Sequence, residues 1–160
     1  MSTPSPRDRD PDGRPRNARP RDAAGRPLPM GAEGVTPVDE TADRTPEQAC
    51  DEAGELLRSG RPFAAHEVLE VMWKRAEDPG DQALWRGLAQ LMVGLTHHQR
   101  GNDVGAVTLL ERGAESLPEG THGPGIDADA WAAWGMRAAA LVRRGDPPPP
   151  PPLLGRAARP

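Results

Sequence analysis

Apolar side chains recur at helical spacing through one central stretch of this chain and thin out sharply at both ends. Between Thr45 and Gly145 that periodicity predicts five helices. The first opens on Thr45-Pro46-Glu47-Gln48. Threonine can cap, proline suits the first helical position, and glutamine three residues on completes a capping box. Ala49, Ala53, Leu56 and Leu57 then form one apolar face, and Gly60 ends the helix. The second helix begins at Pro62 and runs to about Ala76. Glu77-Asp78-Pro79-Gly80-Asp81 reads as a turn through its Pro-Gly pair, with Asp81 placed to cap a third helix from about Gln82 to Arg100. Gly101 closes it, and Asn102 caps a fourth that runs to about Ser116 with Val107, Leu110 and Ala114 on one side. A looser stretch follows. The fifth helix starts near Asp127 and ends at Arg144, with Trp131, Trp134, Ala138 and Leu141 as a buried stripe. No strand signal is present.

The expected fold class is therefore all-α: a small antiparallel bundle of about five helices, with disordered N- and C-terminal tails. Residues 1–44 alternate Arg, Asp, Pro and Gly and lack the apolar surface needed to offset ordering entropy, so they read as a disordered tail. Residues 45–145 form the helical domain. Residues 146–160 read as a second, proline-rich disordered tail. Its run at 147–152 favours an extended polyproline helix, a form that can dock in an aromatic groove but is read here as a spacer.

Composition narrows the function classes. The net charge is −4, and in the first 44 residues arginines and acids balance. A mildly acidic domain offers no electrostatic footprint for nucleic acid or anionic membrane, so neither is an expected partner. Cys50 is the lone cysteine, which rules out an intramolecular disulfide and fits a reducing compartment. With no apolar signal segment, the expected location is the cytoplasm. Homo-oligomerisation would help so small a core.

The unusual chemistry lies on the second and third helices. His66, Glu70 and Trp73 fall at i, i+4 and i+7 on one face with Phe63, and Glu67 stands one step round. On the third helix Gly87, Gln90, Gly94 and His97 form one stripe of small and polar residues. The two glycines would let another backbone come close. The expectation is that helices two and three pack antiparallel with His66, Glu70, Gln90 and, as a further candidate, His97 between them, because that face is a core face and buried ionisable groups need partners.

At these residues a family resemblance enters. The run F-x-x-H-E-V-L-E-x-x-W, then G-L-x-Q-L, then H-x-Q-R-G-N resembles the bacterial and archaeal family called domain of unknown function 309 (DUF309). Its matching positions are Phe63, His66, Glu67, Glu70, Trp73, Gly87, Gln90, His97, Gly101 and Asn102, within a span of about Ala49 to Leu117. Thr96 departs from the pattern, which tends to have an aromatic there. The resemblance implies an all-helical fold and brings no established activity.

Three functional readings follow from the residues. In the first, His66, Glu67, Glu70, Trp73, Gln90 and His97 form a structural polar network that fixes helix register. In the second, the same cleft holds a small ligand or a partner peptide. The alternative is a metal-dependent hydrolase with His66, Glu70 and His97 as ligands and Glu67 as general base, although Glu70 stands where H-E-x-x-H has its second histidine. The leaning is to a non-catalytic domain. No metal site, cofactor or particular partner is assigned.

Overall fold

The computed structural model describes residues 20–123 and 125–156. Five helices pack side by side: α1 (Pro46–Arg58), α2 (Pro62–Arg75), α3 (Pro79–Gln99), α4 (Asp103–Ser116) and α5 (Ala128–Arg143). Ahead of α5 lies a two-residue hairpin, β1 (His122–Gly123) against β2 (Ile126–Asp127), with His122 opposite Asp127. No strand was expected there. Pairing this short leaves no alternation to read, and the turn rests on Gly125 at φ +79°.

The helix starts follow local hydrogen-bonding chemistry. The Thr45 hydroxyl accepts from the Gln48 N–H at 3.2 Å, and the Gln48 side chain accepts from the Thr45 N–H at 2.9 Å. Asn102 and Asp127 cap α4 and α5 through the N–H groups of Gly105 and Ala130. At α3 the structure corrects the expected boundary. Asp78, not Asp81, is the cap, accepting from the N–H groups of Gly80 and Asp81 at 2.9 and 3.1 Å. Pro79 is the first helical residue, where its missing N–H is no loss. Asp81 falls inside the first turn, where its charge favours the helix dipole.

Each helix packs on its neighbours in sequence, so α3 lies between α2 and α4. Cross-helix contacts make both pairs antiparallel. Phe63 near the start of α2 meets Arg100 just after α3, and Trp73 near the end of α2 meets Arg86 near the start of α3. On the other side of α3, Gly87 lies against Leu117 and Gly113, and Gly94 against Leu110. A Cβ on Gly113 would come within 2.9 Å of the Gly87 carbonyl oxygen. Glycine is required there because the two backbones are that close.

Trp131 and Trp134 meet edge to face at 5.4 Å and are wholly buried with Leu69, Leu88, Leu91, Met92 and Leu110. Such aromatic packing carries much of a core this poor in large rings. Among the described residues no helix is long and apolar enough to cross a membrane.

The segments flanking the helices take part in the packing. Residues 1–19 of the N-terminal tail lie outside the described residues. Residues 20–44 run along α2, tied by Arg75 to the Ala42 carbonyl and by Arg100 to the Ala24 carbonyl. Arg44 also pairs with Glu52 of α1. At the other end, residues 147–156 belong to the stretch expected to be a free tail. They lie against α1 and α5, with Leu154 only 1% exposed. Residues 157–160 are outside the described residues.

Candidate functional site

His66 lies on α2 with both ring nitrogens opposite oxygen. Nδ1 is 3.2 Å from the Phe63 carbonyl and Nε2 is 3.1 Å from Glu70 Oε2. Lys74 Nζ reaches the other Glu70 oxygen at 3.0 Å. These partners are one helical turn apart, so the helix itself builds a His66–Glu70–Lys74 chain. The side chains of His66 and Glu70 are 18% and 31% exposed, so neither is sealed from solvent. Burial pushes the His66 imidazole below its usual value, against the pull of the Glu70 charge and the Phe63 carbonyl. Trp73, on the same face, stays 36% exposed with the Arg86 guanidinium 5.7 Å above its ring.

Gln90 and His97 go elsewhere. Gln90 Oε1 accepts from the Ser116 hydroxyl of α4 at 3.1 Å. His97 Nδ1 lies 3.1 Å from the Asn102 amide at the α3–α4 turn. Among the described residues no hydrogen bond or ion pair joins either side chain to His66 or Glu70. The reason is the glycine stripe they share. Gly87 and Gly94 admit a neighbouring backbone, and that neighbour is α4 rather than α2. The group expected between α2 and α3 is therefore divided, with His66 and Glu70 on α2 and Gln90 and His97 turned to α4.

Glu67 leads to a feature with no signal in the sequence. Residues 20–40 arch over the first half of α2 and leave a cavity of about 750 Å³, lined by Arg21, Val35, Glu40, Arg61, Phe63 and Glu67 among others. Phe63 is part of that lining. The Arg21 guanidinium lies 5.2 Å from the Phe63 ring centre and that of Arg100 5.4 Å from it, a cation–π arrangement. Gly25 rests on the same ring, where a Cβ would come within 2.3 Å. Arg61 donates from one terminal nitrogen to the Thr36 carbonyl at 2.7 Å. Its Nε is buried with no hydrogen-bond partner among the described residues. Burial raises the Glu67 carboxyl above its usual range; Glu40 adds to the shift, while Arg21 and Arg61 oppose it. The cavity thus joins apolar wall residues, guanidinium donors and a carboxyl whose titration burial shifts upward.

Two other groups have local explanations. His122, Asp127 and Asp129 bring potential metal ligands together at the hairpin, all exposed. His122 already pairs with both carboxylates, and these also accept from the Ala130 and Gly120 N–H groups, so the cluster ties the hairpin to the α5 N-terminus. Cys50 is buried in the core, its thiol pushed up to about 12 by desolvation, as befits a packing residue.

Comparison with known proteins agrees with the helical motif. Residues 50–109 match the model of the family described as Domain of unknown function (DUF309), a stretch from α1 into the first half of α4. A 48-residue alignment at 42% identity relates the chain to the uncharacterized protein YpuF of Bacillus subtilis (strain 168). It spans 30% of this chain and 28% of YpuF. No solved structure matches.

Proposed function

We propose that this domain is a ligand-binding module that performs no covalent step. Its site is the cavity between residues 20–40 and the first half of α2. Its ligand is a small molecule with a flat apolar body and an anionic group. The observation that carries this reading is one cavity of about 750 Å³ that Arg61, Phe63 and Glu67 line together. A guanidinium is a charged donor, so a ligand carboxylate or phosphate beside it would form a charge-assisted pair. Phe63, Val35 and Val38 line the same cavity and give the ligand's body apolar surface to rest on.

The α2 polar chain supports the site from behind. The His66 ring contacts Phe63 at 5.3 Å between centroids, Glu70 fixes His66, and Lys74 balances Glu70. In this reading His66 and Glu70 are positioning residues for the cavity wall, and Trp73 lies one turn beyond it. Glu67 sets the pH dependence. Its ionised form repels an incoming anion, whereas its protonated form can donate to one. Binding therefore takes up a proton and tightens as pH falls.

Thermal-shift measurements with a panel of small aromatic carboxylates and phosphate monoesters test the proposal. The wild-type chain is expected to gain at least a few degrees with some of them, more at pH 5.5 than at pH 7.5. Arg61→Gln is expected to lose the gain. A panel without effect, or an equal shift in Arg61→Gln, would count against the site.

A further inference from the structure

The chain turns back after α5. Gly145 (φ +86°) makes the turn, and the proline run then returns along the bundle in extended form. The Trp134 indole N–H donates to the Pro149 carbonyl at 3.0 Å, and the Trp131 indole N–H to the Leu153 carbonyl at 3.3 Å. Leu154 is buried, and its carbonyl accepts from the Arg58 guanidinium at 3.3 Å. That carbonyl lies over Gly54 of α1, where a Cβ would come within 1.9 Å of it. Gly155 (φ +74°) packs on the backbone of Cys50 and Asp51 and donates to the Gly125 carbonyl at 2.9 Å. Arg156 N–H ends the segment on Asp51 Oδ1 at 2.7 Å.

The chemistry is that of a receptor and its peptide. α1 packs on α2 and α5 on α4, and the segment fills the seam between α1 and α5. Prolines bring no N–H groups to their own segment, and the two tryptophan donors reach its carbonyls, one at Pro149 and one at Leu153. A polyproline segment is extended before it binds, so seating it costs little ordering entropy. None of these contacts needs the covalent link through Gly145 and Asp146.

We propose that the α1–α5 seam is a receptor for an extended proline-rich peptide carrying Leu-Leu-Gly, and that the chain's own residues 147–156 are its intramolecular occupant. The occupant in trans is the same segment of a second copy, which presents the identical sequence. The tether holds the first occupant at an effective concentration on the order of millimolar, so the exchanged state is suppressed until that occupant is loosened.

The test uses a fluorescently labelled peptide of residues 147–160 and the full-length chain in three forms: wild type, Leu154→Asp and Gly155→Ala. Leu154→Asp removes the buried anchor of the intramolecular segment. Gly155→Ala places a methyl against Asp51 at a backbone angle that disfavours it, and neither change touches the seam. Fluorescence anisotropy is expected to show both variants binding the peptide at least tenfold more tightly than wild type. A peptide carrying Leu154→Asp is expected not to bind. Equal binding by all three proteins, or binding of the altered peptide, would overturn the proposal. So would loss of the helical circular-dichroism signal in both variants, which would make the segment an inseparable part of the core.

Discussion

His66 and Glu70 are bonded to each other within α2, 3.1 Å apart, and neither is bonded to α3. The arrangement limits what this pair contributes to stability. An i, i+4 pair that is partly open to water is held by the helix, and its loss leaves no sealed charge behind. Glu70→Gln is therefore expected to cost only about 0.5–1 kcal/mol in urea denaturation. A loss well above 2 kcal/mol would mean that Glu70 satisfies a buried partner.

The same pair predicts a pH response. Burial lowers the His66 imidazole relative to the unfolded chain, so the unfolded state binds the proton first. Stability should then fall as pH drops through the ordinary imidazole value near 6.5 and level off below the lowered folded value. Glu67 acts in the opposite sense. Its raised carboxyl gives stability that is present at low pH and lost as pH rises through the folded value. Denaturation midpoints of His66→Gln between pH 4 and 8 should lack the first slope, and those of Glu67→Gln the second. Unchanged slopes would contradict both assignments.

Close approach of α3 and α4 makes Gly113 intolerant of a methyl group. Gly113→Ala ought to raise helix propensity, yet its Cβ would meet the Gly87 carbonyl and the Leu91 side chain. A net loss of about 1–3 kcal/mol is expected in chemical denaturation. A gain would show that the helices can move apart at little cost.

Gly54 poses the same contest on α1. Alanine there is worth about 1 kcal/mol to an isolated helix, but it would collide with the Leu154 carbonyl. Gly54→Ala should lower the melting temperature and make the Trp131 and Trp134 emission more solvent-sensitive. A higher melting temperature would show that the 147–156 segment contributes nothing to the fold.

The helices were legible because local chemistry determines them. The Thr45–Gln48 box, the Asn102 cap, the start of the fifth helix near Asp127 and the buried Trp131 and Trp134 all stand in the structure as their spacing predicts. The α3 start was misread because Pro79 serves equally as a turn residue and as a first helical residue, and the capping bond of Asp78 decides between them. The candidate site was legible only in part. Gly87, Gln90, Gly94 and His97 do form one stripe, but spacing along a helix names a face and not the neighbour it meets. The cavity was invisible because it is built by an arginine- and proline-rich arm with no periodicity. Arg61 and Phe63 give no sign in sequence that residues 20–40 cover them. Likewise, Gly54 in the middle of α1 was the one trace of a segment laid over that helix.

The proposed ligand binding centres on the cavity beside Glu67 and Arg61. Its most direct test is a crystal structure of the chain grown with whichever carboxylate or phosphate monoester stabilises it most. The expected result is ordered ligand density against Phe63, with an oxygen within hydrogen-bond distance of the Arg61 guanidinium and a second polar contact at Glu67. A ligand bound elsewhere, or a cavity closed by residues 20–40, would contradict it.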